Sequence, residues 1–135
     1  MVIVISTVII KDDRGRMLLV EDKELWAIPG GKVERGERVI EAAEREVREE
    51  TGFKINITGL ARVYELKREE DYYLFFVFRA KIVSKVGEGV LRFKWFDLDE
   101  IKSLKAYPET YLLLKELEEK NSKPAGHQFD IHFYI

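Results

Sequence analysis

The sequence predicts an α/β protein, a single domain in which helices cover a mixed or antiparallel sheet. Three observations carry that expectation. Runs rich in β-branched and aromatic residues recur at 2–10, 55–64, 72–83 and 90–96, with turn formers between them, as strands require. Residues 38–51 are helix formers apart from the β-branched ones, and Gly52 follows them, where a left-handed helix cap is expected. At 135 residues the chain is long enough to bury one core and short for two, so one domain over 1–135 is expected.

In chain order, residues 2–10 form the first strand, Asp12-Asp13-Arg14-Gly15 a turn, and 17–21 a second strand, together a hairpin. Residues 25–28 make a short strand, which Pro29-Gly30-Gly31 stops in favour of a tight loop, since glycine reaches backbone angles closed to other residues. In the helix over 38–51, Ile40, Ala43 and Val47 share a packing stripe. The charged stretch 67–71 separates the strands at 55–64 and 72–83. Residues 99–104 make a short helix. A longer one over 109–120 sets Tyr111, Leu112, Leu114, Lys115 and Leu117 on helical spacing, as a cover on the sheet. The alternation Phe129, Ile131, Phe133, Ile135 reads as a last strand or a partner-binding extension, which leaves a homodimer open.

Composition narrows the function. The chain is 46% hydrophobic and 36% charged, ordinary for a folded domain. A net charge of -2 provides no broad basic field, so long DNA or RNA is a poor partner and any phosphate must be met locally. Without cysteine there is no disulfide framework, zinc-thiolate site or cysteine nucleophile, and a reducing, cytoplasmic compartment is the simple reading. The apolar start Val2-Ile3-Val4-Ile5 lacks a basic leader and is soon followed by Lys11-Asp12-Asp13, so no signal or membrane span is expected.

The chemistry concentrates on the central helix. At about 100° per residue, Glu46, Glu49 and Glu50 fall within roughly one third of its circumference. Three such carboxylates repel one another unless a cation compensates, and an all-oxygen set favours Mg²⁺, with Mn²⁺ as a substitute. Taken singly, Glu41 with Arg45, Glu44 with Arg48 and Arg45 with Glu49 are the i,i+4 pairs of any solvated helix. The register with the preceding glycine segment reverses that reading. Gly31-Lys32-Val33-Glu34-Arg35-Gly36-Glu37, seven further residues, then Arg45-Glu46-Val47-Arg48-Glu49-Glu50-Thr51-Gly52-Phe53 resembles the Nudix box at every defining position.

That resemblance implies an α/β/α sandwich whose catalytic helix follows a glycine loop, and a MutT-like pyrophosphohydrolase. The expected substrate is a small nucleotide, a nucleoside triphosphate or a nucleoside diphosphate derivative. It implies Glu46, Glu49 and Glu50 as catalytic metal ligands, joined by the carbonyl of Gly31, and Gly30, Gly31 and Lys32 as substrate-binding residues. Glu37 and Arg45 are expected to be structural, an ion pair holding loop to helix. The competing expectations are a Nudix-fold module that senses nucleotide or ADP-ribose without turnover, and a pure interaction protein using its final strand. Relatives using ADP-ribose often carry a proline about fifteen residues past the box, and dinucleoside polyphosphate relatives a tyrosine slightly later. Arg68, Asp71 and Tyr72 occupy that region here, so neither subclass is marked.

Outside the box, the resemblance implies a further acidic residue from a loop after the helix, as general base or extra ligand. Glu88 between Gly87 and Gly89 is the candidate, against the slightly favoured reading of a solvated loop residue, and Glu65 is the second choice. Tyr72, Tyr73, Phe75 and Phe76 alternate, so one pair can stack a base while the other fills the core, with core packing the favoured reading. Trp26 is placed either in a base pocket or as an anchor beside the loop. His127 and His132 have no acidic partner nearby in sequence and are read as structural or exposed.

Overall fold

The computed structural model describes residues 1–121 and 131–134. Its elements are β1 Val2–Ile10, β2 Met17–Asp22, β3 Leu25–Ala27, β4 Gly30–Lys32, α1 Val39–Thr51, β5 Phe53–Arg68 and β6 Asp71–Lys85, followed by β7 Arg92–Phe96, α2 Leu98–Lys102, α3 Glu109–Asn121 and β8 Ile131–Tyr134. A mixed five-stranded sheet runs β4-β1-β6-β5-β8, and a three-stranded antiparallel sheet runs β3-β2-β7.

The expected hairpin of the first two strands does not form. The turn closes as anticipated, with Asp12 accepting from the backbone N–H of Arg14 and Arg16 at 3.0 and 2.8 Å, but only the bridge Lys11↔Met17 joins the two strands. β1 instead pairs parallel with β6 along its whole length, and β2 joins β3 and β7. Burial explains the divergence. Val8 and Ile10 enter one core while Ile9 enters the other, and Leu18 and Leu19 divide the same way. Strands apolar on both faces need a layer on each side, which a half-exposed hairpin cannot supply.

The first core packs α1, through Ala43 and Val47, against Val8, Ile10, Ile55 and Phe78. The second packs α2 and α3, through Ile101, Leu113, Leu114 and Leu117, against Ile9, Leu19, Tyr64, Val77 and Phe96. Two sequence expectations shift by a residue. Ile40 is 43% exposed, and α1 buries Ala42, Ala43, Val47 and Thr51. Leu112 is 58% exposed, and α3 buries Thr110, Leu113, Leu114 and Leu117. α1 is capped at its start by the Arg38 N–H donating to Glu41 at 3.0 Å and at its end by Gly52, φ 82°.

The strands expected at 55–64 and 72–83 are longer than their apolar runs and meet in a two-residue turn at Glu69-Glu70, because Arg68 pairs with Asp71. Register shifts near Ile55, Gly59 and Arg62 bend β5. Arg62 is fully buried, ion-paired with Glu116 of α3, and its Nε and Nη2 have no hydrogen-bond partner among the described residues. The tail alternation yields β8, parallel to β5 over Val63–Leu66. His127, Phe129 and Ile135 lie outside the described residues, as does the side chain of His132. Among the described residues no helix is long and apolar enough to cross a membrane.

Candidate active site

The site forms where β4, paired on the edge of β1, leads through residues 33–38 into α1. Rather than opening a loop, Gly30 and Gly31 pair with Thr7 and Ser6 in a short antiparallel strand. Gly30 has φ 151°, and a Cβ on it would lie 2.2 Å from the Ser6 carbonyl oxygen. Only glycine permits that approach. At Gly31 a Cβ would meet the Glu46 carboxyl carbon at 2.6 Å, so the bare backbone forms a cradle for that carboxylate. Ser6 Oγ donates to the Val39 carbonyl at 2.7 Å, tying the start of α1 to the same strand.

Arg45 joins loop to helix. Its Nε donates to Glu37 Oε2 at 2.6 Å and its Nη2 to Glu37 Oε1 at 3.0 Å, a bidentate fork. Nη2 also donates to the Lys32 carbonyl at 3.1 Å. The fork, helped by the Glu34 N–H, pulls the Glu37 carboxyl down to about 2, and Glu37 in turn holds Arg45 protonated. Arg45 Nη1 reaches Glu46 at 2.9 Å and Glu49 at 3.3 Å.

Glu50 differs from its neighbours. The Gly30 N–H donates to its Oε1 at 3.0 Å, yet its carboxyl is pushed up to about 8, first by burial and then by repulsion from Glu46, Asp22 and Glu49. Asp22, at the end of β2, is the residue sequence reasoning missed. It stands outside the box, and no spacing rule links it to the helix.

Among the described residues no three acidic or histidine side chains already converge as a metal cage, because Glu46 and Glu49 both turn to Arg45. The donor set nonetheless fits a hard divalent cation. It is all oxygen, it crowds negative charge onto Glu50, and the Gly31 cradle leaves the Glu46 carboxylate unobstructed by a side chain.

Beside the glycines lies a cleft of about 440 Å³, whose lining includes Asp22, Gly30, Gly31 and Lys32 at one end and Leu66, Arg68 and Tyr73 at the other. Its floor follows a register row, Lys32 opposite Ile5, Ile5 opposite Phe75, Phe75 opposite Tyr64. At about 4.8 Å per strand this row spans roughly 14 Å, the scale of an extended nucleotide. Tyr107, Glu109, Thr110 and Leu113 complete the lining from the α3 side.

The other sequence candidates separate clearly. Of the aromatic quartet, Tyr73 and Phe75 line the cleft, Phe75 stacked on Tyr64 at 4.5 Å, while Phe76 packs toward α1. Trp26 is an anchor, 8% exposed, edge-on to Phe96 at 5.0 Å, with its backbone N–H donating to the Lys105 carbonyl at 2.9 Å. Glu65 alternates with Tyr64 and Leu66, and therefore points to the opposite face of β5 from the cleft. Glu88 sits on a loop tied to the end of α1, where the N–H groups of Val90 and Leu91 donate to the carbonyls of Glu49 and Glu50, both at 3.0 Å. Its side chain is 94% exposed and stands 4.0 Å from Lys85.

The NUDIX domain family model matches residues 2–117. A Bacillus subtilis protein provisionally named an 8-oxo-dGTP diphosphatase is 40% identical over 72 residues, 51% of this chain and 48% of that protein. An ADP-ribose pyrophosphatase of Methanocaldococcus jannaschii is 30% identical over 112 residues, 76% of this chain and 65% of that protein. The chain thus spans half to two thirds of the length of these relatives. A solved NUDIX hydrolase from Nitrosomonas europaea superposes with a TM-score of 0.77 at 28% identity, covering 91% of this chain and 92% of its own.

Proposed function

The chain belongs to the Nudix family, and from that premise we propose that it hydrolyses a pyrophosphate bond in a nucleoside triphosphate or nucleoside diphosphate derivative, by attack of water on phosphorus. The observation that carries the reading is that one cleft runs from the glycine strand to an aromatic floor, and that this strand lies directly against the acidic helix, Gly30 donating to Glu50 and Gly31 facing the Glu46 carboxylate. The names of the relatives, both nucleotide pyrophosphohydrolases, point the same way.

Glu46, Glu49 and Glu50, with the Gly31 carbonyl, would hold Mg²⁺ or Mn²⁺. Such a cation supplies charge neutralisation on the phosphates and a more acidic water. The chain's own groups do the rest. Lys32 at the mouth of the cleft meets phosphate charge, and the Gly31 backbone admits it closely. The Glu37–Arg45 fork fixes the glycine segment against the helix, so these groups hold position without reorganising. Glu88 is the candidate base, carried on a loop whose backbone is fastened to the end of the catalytic helix, and a substrate has to draw its exposed carboxylate inward. The substrate is a small nucleotide and not a long nucleic acid, in keeping with the charge balance, and the setting is cytoplasmic, the protein acting alone or as a homodimer.

A panel of nucleoside triphosphates, dinucleotides and nucleotide sugars incubated with Mg²⁺, with products separated by chromatography, tests the reading. Cleavage at the anhydride of at least one is expected, and a panel untouched at high enzyme concentration overturns it.

A further inference from the structure

The two named relatives point to different bases, an oxidised guanine and an adenine, and the cleft bears on that choice. Resting on the reading that this cleft holds a nucleotide, we propose that Arg68 and Glu109 read the base and select unmodified guanine. With phosphates at Gly31 and Lys32, the register row carries the other end of the ligand to Phe75 and Tyr64, beside which Tyr73 and Leu66 are the next pair on the same face. Leu66 and Arg68 lie on one face of β5, by the period of two along a strand, and Glu109 opens α3. Both charged side chains line the cleft. Neither forms an ion pair or side-chain hydrogen bond among the described residues, so two opposite charges face one cavity and are left for a ligand.

Their chemistry distinguishes the bases. A guanidinium presents a fork of parallel donors and a carboxylate a pair of acceptors. Guanine offers adjacent acceptors, O6 and N7, on one edge and adjacent donors, N1–H and the 2-amino group, on the next, so it alone satisfies both forks in bidentate fashion. Adenine turns its 6-amino donor toward the arginine fork and has no second donor for the carboxylate. Oxidation of guanine at C8 places a proton on N7, which converts one of the two acceptors into a donor and opposes the same fork. A Glu at the first position of a helix also favours the helix dipole, so a stability effect of Glu109 is no test of base reading. The ratio between bases is.

Monophosphates contain no anhydride and can be titrated without turnover. Calorimetric titration of the protein with GMP, AMP and 8-oxo-GMP in Mg²⁺ is expected to show GMP bound at least tenfold more tightly than either alternative, in line with one good bidentate contact. Arg68→Met and Glu109→Gln should each cut the GMP-to-AMP ratio at least fivefold, and the kcat/KM ratio of GTP to ATP should follow. A wild-type ratio below tenfold, or no binding of any monophosphate, overturns the proposal. A ratio that survives one substitution removes that residue from the role. Hydrolysis of GTP and ATP at equal kcat/KM overturns base selection and leaves the hydrolase reading standing, whereas selective GMP binding without hydrolysis of any nucleotide does the reverse.

Discussion

Replacing Glu50 by glutamine separates a metal-site carboxylate from an ordinary helix-surface glutamate through the sign of a stability change. The Glu50 carboxyl ionises at about 8 where 4.5 is ordinary, because burial withholds water and Glu46, Asp22 and Glu49 repel its charge. The folded state therefore holds this proton more tightly than the unfolded chain does. The stability linked to Glu50 is present in full below about pH 4.5 and is lost as pH rises toward about 8. Keeping the group folded at pH 7 costs about 3 kcal/mol on that basis. Glutamine removes the cost, while its poorer fit to the Gly30 N–H and its buried amide return about 1 kcal/mol. The metal-free variant should be about 2 kcal/mol more stable at pH 7, roughly 6 °C in Tm for a domain of this size, and should lose the advantage near pH 4.5. Melts in EDTA at both pH values, repeated with Mg²⁺ at pH 7, read this directly. Mg²⁺ should stabilise the wild type more than the variant, and turnover should fall at least a hundredfold. A variant that is less stable at pH 7 in EDTA and still active refutes the assignment.

Four further outcomes are expected. Excess EDTA should abolish turnover and Mg²⁺ or Mn²⁺ restore it, read by product chromatography; undiminished activity in chelator contradicts the carboxylate site. Glu88→Gln should lower kcat roughly a hundredfold with little change in Mg²⁺ affinity, and an effect under threefold moves the base to the glutamates of α1, since Glu65 faces away from the cleft. Gly30→Ala should destabilise by about 3 kcal/mol or more in denaturant titrations, because the new Cβ strikes the Ser6 carbonyl at a strained φ; a loss under 1 kcal/mol would mean that β1 and β4 separate easily. Glu116→Gln should cost about 3 kcal/mol by leaving Arg62 buried without its counter-charge, and Arg62→Met combined with Glu116→Leu should recover most of that loss.

Much of this arrangement was legible in the chain because it rests on local rules. The helix at 38–51 announced itself by composition and Gly52, and Glu46, Glu49 and Glu50 shared a face by helical period alone. What escaped was set by contacts distant in sequence. The parallel partner of β1 lies beyond α1 and β5, so adjacency suggested a hairpin that the two-sided burial of Val8, Ile9 and Ile10 rules out. Asp22 joins the Glu50 environment only because β2 ends beside it, and no pattern in the strand marks it. Nothing local in the strand marks Arg62 for burial, yet it is buried and ion-paired with Glu116 of α3 where the register of β5 shifts.

The parallel pairing also fixes when the molecule can become functional during synthesis. Val2 meets Tyr72 and Ile10 meets Ala80, so the middle of the main sheet waits for a segment made long after the first strand has left the ribosome. Closing so large a loop is slow. Gly30 and Gly31 hang on the far edge of β1, so the glycine strand and the helix behind it gain a rigid support only after β6 has docked. A nascent chain stalled before residue 80 would carry the complete box without a working site, and its apolar first strand would need shielding until the partner arrives.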